Sequence, residues 1–199
     1  MPAHTVSRIG LLGGLIFTFL TLAAAPSPLA PQPDRAEARA RLIAPTNVCP
    51  DRTARGGAVQ IRRARRSMMC LVNFARKRKG LRKYRQHRKL SWSSKRKARD
   101  IIRCDSFSHN ACGRKFDYWI RRSGYASRGR GWTTGENIAW GSGSLGNVRS
   151  IFRAWMNSPS HRAAILDREF SDANVGVVGG RMQGSGGARA WVLHFGHRY

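Results

Sequence analysis

Acidic side chains are what this sequence has least of. Ten Asp and Glu stand against 37 Lys and Arg, for a formal charge of +27 over 199 residues. Such an excess turns the surface toward polyanions: nucleic acid, anionic lipid heads or acidic wall polymers. A charge total says nothing about fold. Cysteine is sparse too. Cys49, Cys70, Cys104 and Cys112 form no Cys-x-x-Cys, which argues against a zinc knuckle. No nucleic-acid-binding motif accompanies the basic stretches, so nucleic acid is not the polyanion indicated. No clear nucleophile is present either. Ser108 and Ser160 adjoin histidines, but triad geometry is made in space and not by chain neighbours. The one long apolar run, residues 9–22, falls short of the roughly 20 residues that span a bilayer.

What is present begins with that run. Arg8 precedes it and Ala23-Ala24-Ala25 follows, so residues 1–25 have the three parts of a secretory signal. Cleavage and secretion are expected, with retention as a membrane anchor as the alternative. Both routes export the remainder to a compartment where disulfides persist. Residues 26–66 carry Pro26, Pro28, Pro31, Pro33, Pro45 and Pro50 and few large apolar residues. They read as a linker that cannot bury enough surface to offset its ordering entropy. Residues 67–199 are long enough for one core. Four cysteines allow three pairings. The short loop between Cys104 and Cys112 favours joining those two, which leaves Cys49 to tie the linker to Cys70. Each bridge is worth about 2–4 kcal/mol in the loop-entropy picture.

Within the domain, Met68, Leu71, Val72 and Ala75 recur at helical spacing. Ser67 is a candidate cap, and Gly80 a stop. A second helix is expected over 92–103, with Trp92, Ala98, Ile101 and Ile102 inward. Residues 62–103 hold eighteen Lys or Arg and one acid, Asp100. Arg76, Lys77, Arg78 and Lys79 form their densest run and are a candidate polyanion surface. A short helix over 115–123 buries Phe116, Trp119 and Ile120. A strand runs over 136–140, and Asn147 caps a helix with the stripe Val148, Ile151, Phe152, Trp155. Ser158 and Pro159 then open another helical turn that carries His161. Strands over 174–180 and 188–196 are joined by a Gly-rich hairpin. Helices followed by a hairpin indicate an α+β fold, a three-layer α-β-α sandwich around a small antiparallel sheet.

His109, Glu136 and His161 are the chemistry-bearing residues. Each lies beside an apolar anchor (Phe107, Ile138 and Trp155), so packing those anchors together is expected to bring the three into one cleft. Two imidazoles and a carboxylate suit zinc or another divalent metal with an open position. They also suit proton transfer. His194 and His197, near a strand end, are expected at the surface outside the site. His87, in a basic run, is expected to face water.

The ordered pieces Cys70-Leu71-Val72-Asn73, Phe107-Ser108-His109, Gly124-Tyr125, Gly135-Glu136-Asn137-Ile138-Ala139, Trp155-Met156-Asn157-Ser158-Pro159-Ser160-His161-Arg162 and Phe195-Gly196 resemble the CAP superfamily. This superfamily comprises the cysteine-rich secretory, antigen and pathogenesis-related proteins, also called SCP domains. The resemblance is to its bacterial secreted branch. It implies an α-β-α sandwich whose cleft is lined by histidines and acids. His109 matches the first cleft histidine and Glu136 the first cleft glutamate. Ser158 stands where eukaryotic members place a second glutamate. Ala190-Trp191-Val192 does not match their Gly-His-Tyr strand, and His161 belongs to the bacterial Ser-Pro-x-His-Arg version. The resemblance further implies sterol or lipid binding, metal in the cleft, or proteolysis.

Three functions follow as expectations. The first is a secreted domain, monomeric, that acts by binding a lipid, a cell-envelope polymer or a metal, without turnover. The second is a metal-dependent hydrolase in which His109, Glu136 and His161 hold zinc and activate water. The third is a polyanion-binding surface protein that uses residues 62–103.

Overall fold

A computed structural model describes residues 35–52, 56–127 and 131–199. The expected signal over 1–25 lies outside the described residues. Among those described, no helix is long and apolar enough to cross a membrane.

The chain opens with helix α1 (Arg35–Ala40) and then α2 (Ala58–Arg78). The stretch read from its prolines as linker is not all loose. Leu42, Ala44 and Cys49 are buried in the main core, and α2 begins ten residues before the expected helix. Ser67 is therefore an interior residue and not a cap. Ile61 and Ala64 carry the apolar stripe of Met68, Leu71, Val72 and Ala75 two turns further toward the N-terminus. The helix ends as expected at Gly80, whose φ of 66° lets Leu81 N–H return to the Arg76 carbonyl.

Strand β1 (Arg85–Gln86) and helix α3 (Arg88–Arg103) follow. His87 caps α3 by accepting from Lys89 N–H, a job that water-facing exposure did not suggest. The earlier start re-registers the inner face. Leu90, Ser93, Ser94, Lys97, Ala98 and Ile101 are buried there, and Trp92 is exposed. Helix α4 is short (Tyr118–Arg122); it buries Ile120 but leaves Phe116 exposed. Strand β2 (Trp132–Gly141), helices α5 (Val148–Asn157) and α6 (Pro159–Leu166), and strands β3 (Asp172–Met182) and β4 (Ser185–Arg198) complete the fold. Asn147 and Ser158 sit at the cap positions of α5 and α6 without a capping side-chain bond.

The sheet has the order β1-β3-β4-β2, antiparallel except for the two-residue β1 beside β3. Strand alternation builds the three layers. Trp191, Leu193 and Phe195 pack with α2, α5 and α6. Ala190, Val192 and Ile138 face Ala98 and Ile101 of α3. This is the α-β-α sandwich that the sequence predicts. Bridge Cys49–Cys70 ties the segment before α2 to that helix, and Cys104–Cys112 closes the loop after α3.

Helix α3 lies almost on the sheet, because β3 offers it glycine. A Cβ at Gly176 would come 2.3 Å from the Lys95 backbone nitrogen. Gly176→Ala should therefore lower stability by about 1–3 kcal/mol through overpacking. Gly186→Ala, where a Cβ meets nothing within 4 Å, should stay within about 0.5 kcal/mol. Thermal or urea unfolding of the two variants checks the difference.

Candidate functional site

The site grows from one cross-strand pair. Glu136 of β2 stands in register with His194 of β4, and both side chains face α3. Glu136 Oε2 lies 2.9 Å from His194 Nε2. Its Oε1 lies 2.7 Å from His109 Nδ1. A carboxylate can only accept, so both ring nitrogens are donors. The Glu136 side chain is 1% exposed, His194 0% and His109 53%. Behind His194, Ser93 of α3 places its hydroxyl 2.8 Å from Nδ1. One turn along α3, the fully buried Lys97 donates to the His109 backbone carbonyl.

Burial alone pushes the Glu136 carboxyl up. The hydrogen bonds of His109 and His194, with the charges of His194 and Lys97, outweigh it and hold the group below its ordinary 4.5. Burial pushes the Lys97 ammonium down, opposed by Glu136 and Asp100.

His109 reaches Glu136 from the loop that Cys104–Cys112 closes. Its expected anchor, Phe107, is 42% exposed and does not hold it. The bridge and Lys97 do. Ser108 turns that loop, accepting at Oγ from Asn110 N–H.

His161 is placed differently from the expectation. Residues alternate along β2, so Asn137 faces the opposite side from Glu136 and donates to the His161 carbonyl at 2.9 Å. The His161 imidazole bonds Ser158 Oγ at 2.7 Å and makes no hydrogen bond to Glu136 or His109. Its pKa is lowered, first by burial and then by the charge of His109, which is within electrostatic range.

His194, expected at the surface, is instead the innermost member. Its place in the alternation with Ala190 and Val192 was visible in sequence, but its partner was set only by strand register. Lys97 also went unrecognised, although it falls at helical spacing with Leu90, Ser94 and Ile101. His197 stays outside this cluster, with Nδ1 2.9 Å from Ser171 Oγ.

Zinc or another divalent ion does not fit the residues as they stand. Glu136 is 1% exposed with each oxygen accepting from an imidazole, both nitrogens of His194 are engaged in a sealed position, and His161 is turned to Ser158. Among the described residues, no three His, Cys, Asp or Glu gather as a metal group.

The basic run needs a correction as well. Arg76 is 2% exposed. Its guanidinium donates to the carbonyls of Arg82, Ile165 and Asp167 at 2.7–2.9 Å and lies 3.7 Å from the Tyr84 ring centre. It belongs to the core, whereas Lys77, Arg78 and Lys79 remain at the surface. Lys97 and the half-buried Arg65, bonded to the Val175 carbonyl at 2.6 Å, are likewise structural. Residues 62–103 are therefore not one cationic face.

Comparison with known proteins agrees with this architecture. The model of the CAP family, described as the cysteine-rich secretory protein family, matches residues 69–195. The uncharacterized protein YkwD of Bacillus subtilis (strain 168) is 33% identical over 110 residues. That match covers 54% of this chain and 40% of the relative, so the chain spans less than half of that protein. An extracellular SCP-domain protein from Bacillus anthracis str. Ames superposes with a TM-score of 0.58 at 18% identity, covering 72% of this chain and 44% of that one. An outer surface protein from Borrelia burgdorferi gives 0.54 at 20%, covering 67% and 92%.

Because the folded pKa of Glu136 lies below its ordinary value, its contribution is complete above about pH 4.5 and is lost as pH falls through the lower folded value. Glu136→Gln should cost about 1.5–3 kcal/mol at pH 7, the scale of a charged hydrogen bond. Most of that comes from His194, because half-exposed His109 is screened. Melting curves of both proteins should converge as pH is taken well below 4.5.

Proposed function

The chain belongs to the cysteine-rich secretory protein family, and on that premise we propose that it is an exported domain acting by binding, without turnover, on an anionic component of the cell envelope. The observation that carries this reading is the closed state of Glu136. Each Glu136 oxygen accepts from one imidazole, and the side chain is only 1% exposed, so its remaining lone pairs are sealed from substrate and bulk water. Ser93, the hydroxyl at the end of the chain Ser93–His194–Glu136–His109, is 0% exposed and cannot meet a substrate. The cluster thus favours a fixed polar wall over a reaction centre. One ring of the cluster remains at the surface: His109, 53% exposed, keeps its Nε2 edge open as a polar contact for a bound ligand.

Export is supported by the leader-like composition of residues 1–25 and by two disulfides, which persist in oxidising compartments. An anionic partner is supported by the net charge of +27. The hydrolytic alternative, zinc on His109, Glu136 and His161, lacks a convergent donor set.

The test joins zinc calorimetry to thermal melting of His109→Ala. The binding reading expects no saturable zinc uptake that the substitution removes, together with a fall in melting temperature. Stoichiometric zinc binding that disappears in His109→Ala, with the melting temperature unchanged, would overturn it in favour of the hydrolase.

A further inference from the structure

A second cleft lies on the other face of the sheet from Glu136. Its volume is about 1040 Å³, at the upper end of ligand cavities, which run roughly 300–1,000 Å³. Its walls are the turn after α2, the stretch between α6 and β3, and the adjoining ends of β2 and β4. Thr133 and His197 face it, and both alternate away from the side on which Glu136 and His194 point.

Its charge is lopsided. Arg82, Lys83 and Arg168 line it. All three are exposed, and none has a side-chain hydrogen bond or ion pair among the described residues. Glu169 is the one carboxylate of the lining. Arg85 also lines it, but its guanidinium is spent on Asp172 at 2.8 Å. Unpaired cations converging on a concavity focus its field on an anion.

The arrangement is held rigidly. The buried Arg76 guanidinium bonds the carbonyls of Arg82 on one wall and of Ile165 and Asp167 next to the other. The loops bearing Arg82 and Arg168 are thereby tied to one buried group, so a ligand would not have to order them. Hydroxyls of Thr133, Ser171 and Tyr199 add neutral polar contacts. All three are already oriented, Thr133 Oγ1 to Tyr199 OH at 3.1 Å and Ser171 Oγ to His197 at 2.9 Å. Two guanidinium forks and an ammonium suit phosphate, the forks bidentate and the ammonium as a point charge.

We propose that this cleft binds a segment of a chain bearing phosphate groups, with Arg82, Lys83 and Arg168 as its contacts. The inference rests on the reading of the protein as a binding domain for an anionic partner, and gives that partner a chemistry and a place. The competing surface is on α3, where Arg96 stacks over Trp92 at 5.1 Å, with Arg99 beside it.

The test is calorimetric titration of the full chain with linear inorganic triphosphate over a range of salt. Arg82→Gln/Arg168→Gln should weaken binding at least tenfold and flatten the logarithmic salt dependence by about two, one per phosphate contact. Arg96→Gln/Arg99→Gln should change it less than threefold. On the unsubstituted chain, triphosphate should slow acylation of Lys83 at least threefold and leave Lys77 unaffected, a readout independent of how the variants fold. A loss confined to the α3 variant, or an unprotected Lys83, would overturn the cleft while leaving an anionic partner in place. No triphosphate binding at low salt would overturn both.

Discussion

A buried carboxylate between two imidazoles is the interaction on which the rest of this structure depends. Glu136 without partners would be strongly destabilising at 1% exposure. His194 and His109 supply the partners, and each imposes a condition on the fold. The His194 contact requires β2 and β4 to pair in one register; a slip by one residue would send Glu136 to the opposite face. The His109 contact requires the 104–112 loop to close over the sheet edge. Helix α3 serves both, holding His194 through Ser93 and the loop through Lys97. The glycines of β3 admit α3 closely enough to do so.

The same logic recurs with Arg76, where a buried guanidinium gathers carbonyls from two loops and braces the second cleft. A chain with few acids has limited means of neutralising buried cations by ion pairs. Arg76 and Lys97 are instead satisfied by backbone carbonyls, and Arg65 by the Val175 carbonyl together with the Ser91 and Asn174 side chains. Part of the +27 charge is thus internal framework. The three acids Asp100, Glu136 and Asp172 are themselves buried and paired.

How much of this was legible in the sequence depended on whether the signal was local. The α5 stripe and the alternation of β4 could be read directly, because each involves neighbours one turn or two residues apart. The α3 start was misread because Leu90 sits alone within a basic run, and that error hid Lys97 on the inner face. Arg76 looked like one cation among four, although it falls four residues after Val72 on the buried stripe. His194 was out of reach for another reason. Its role exists only through a partner 58 residues away in sequence, and strand register decides that pairing. His161 shows the converse, since membership in the recognised Ser-Pro-x-His-Arg motif did not tell what its ring would bond, which is Ser158.

The central claim is that Glu136 is closed by two donated hydrogen bonds, and nitrogen-15 NMR of the histidine rings tests it most directly. At a pH where the imidazoles are neutral, the account predicts that His109 carries its proton on Nδ1 and His194 on Nε2, each bonded to the carboxylate. If His109 proved to be the Nε2–H tautomer with a bare Nδ1, its bond to Glu136 could not exist, and the closed cluster would be contradicted.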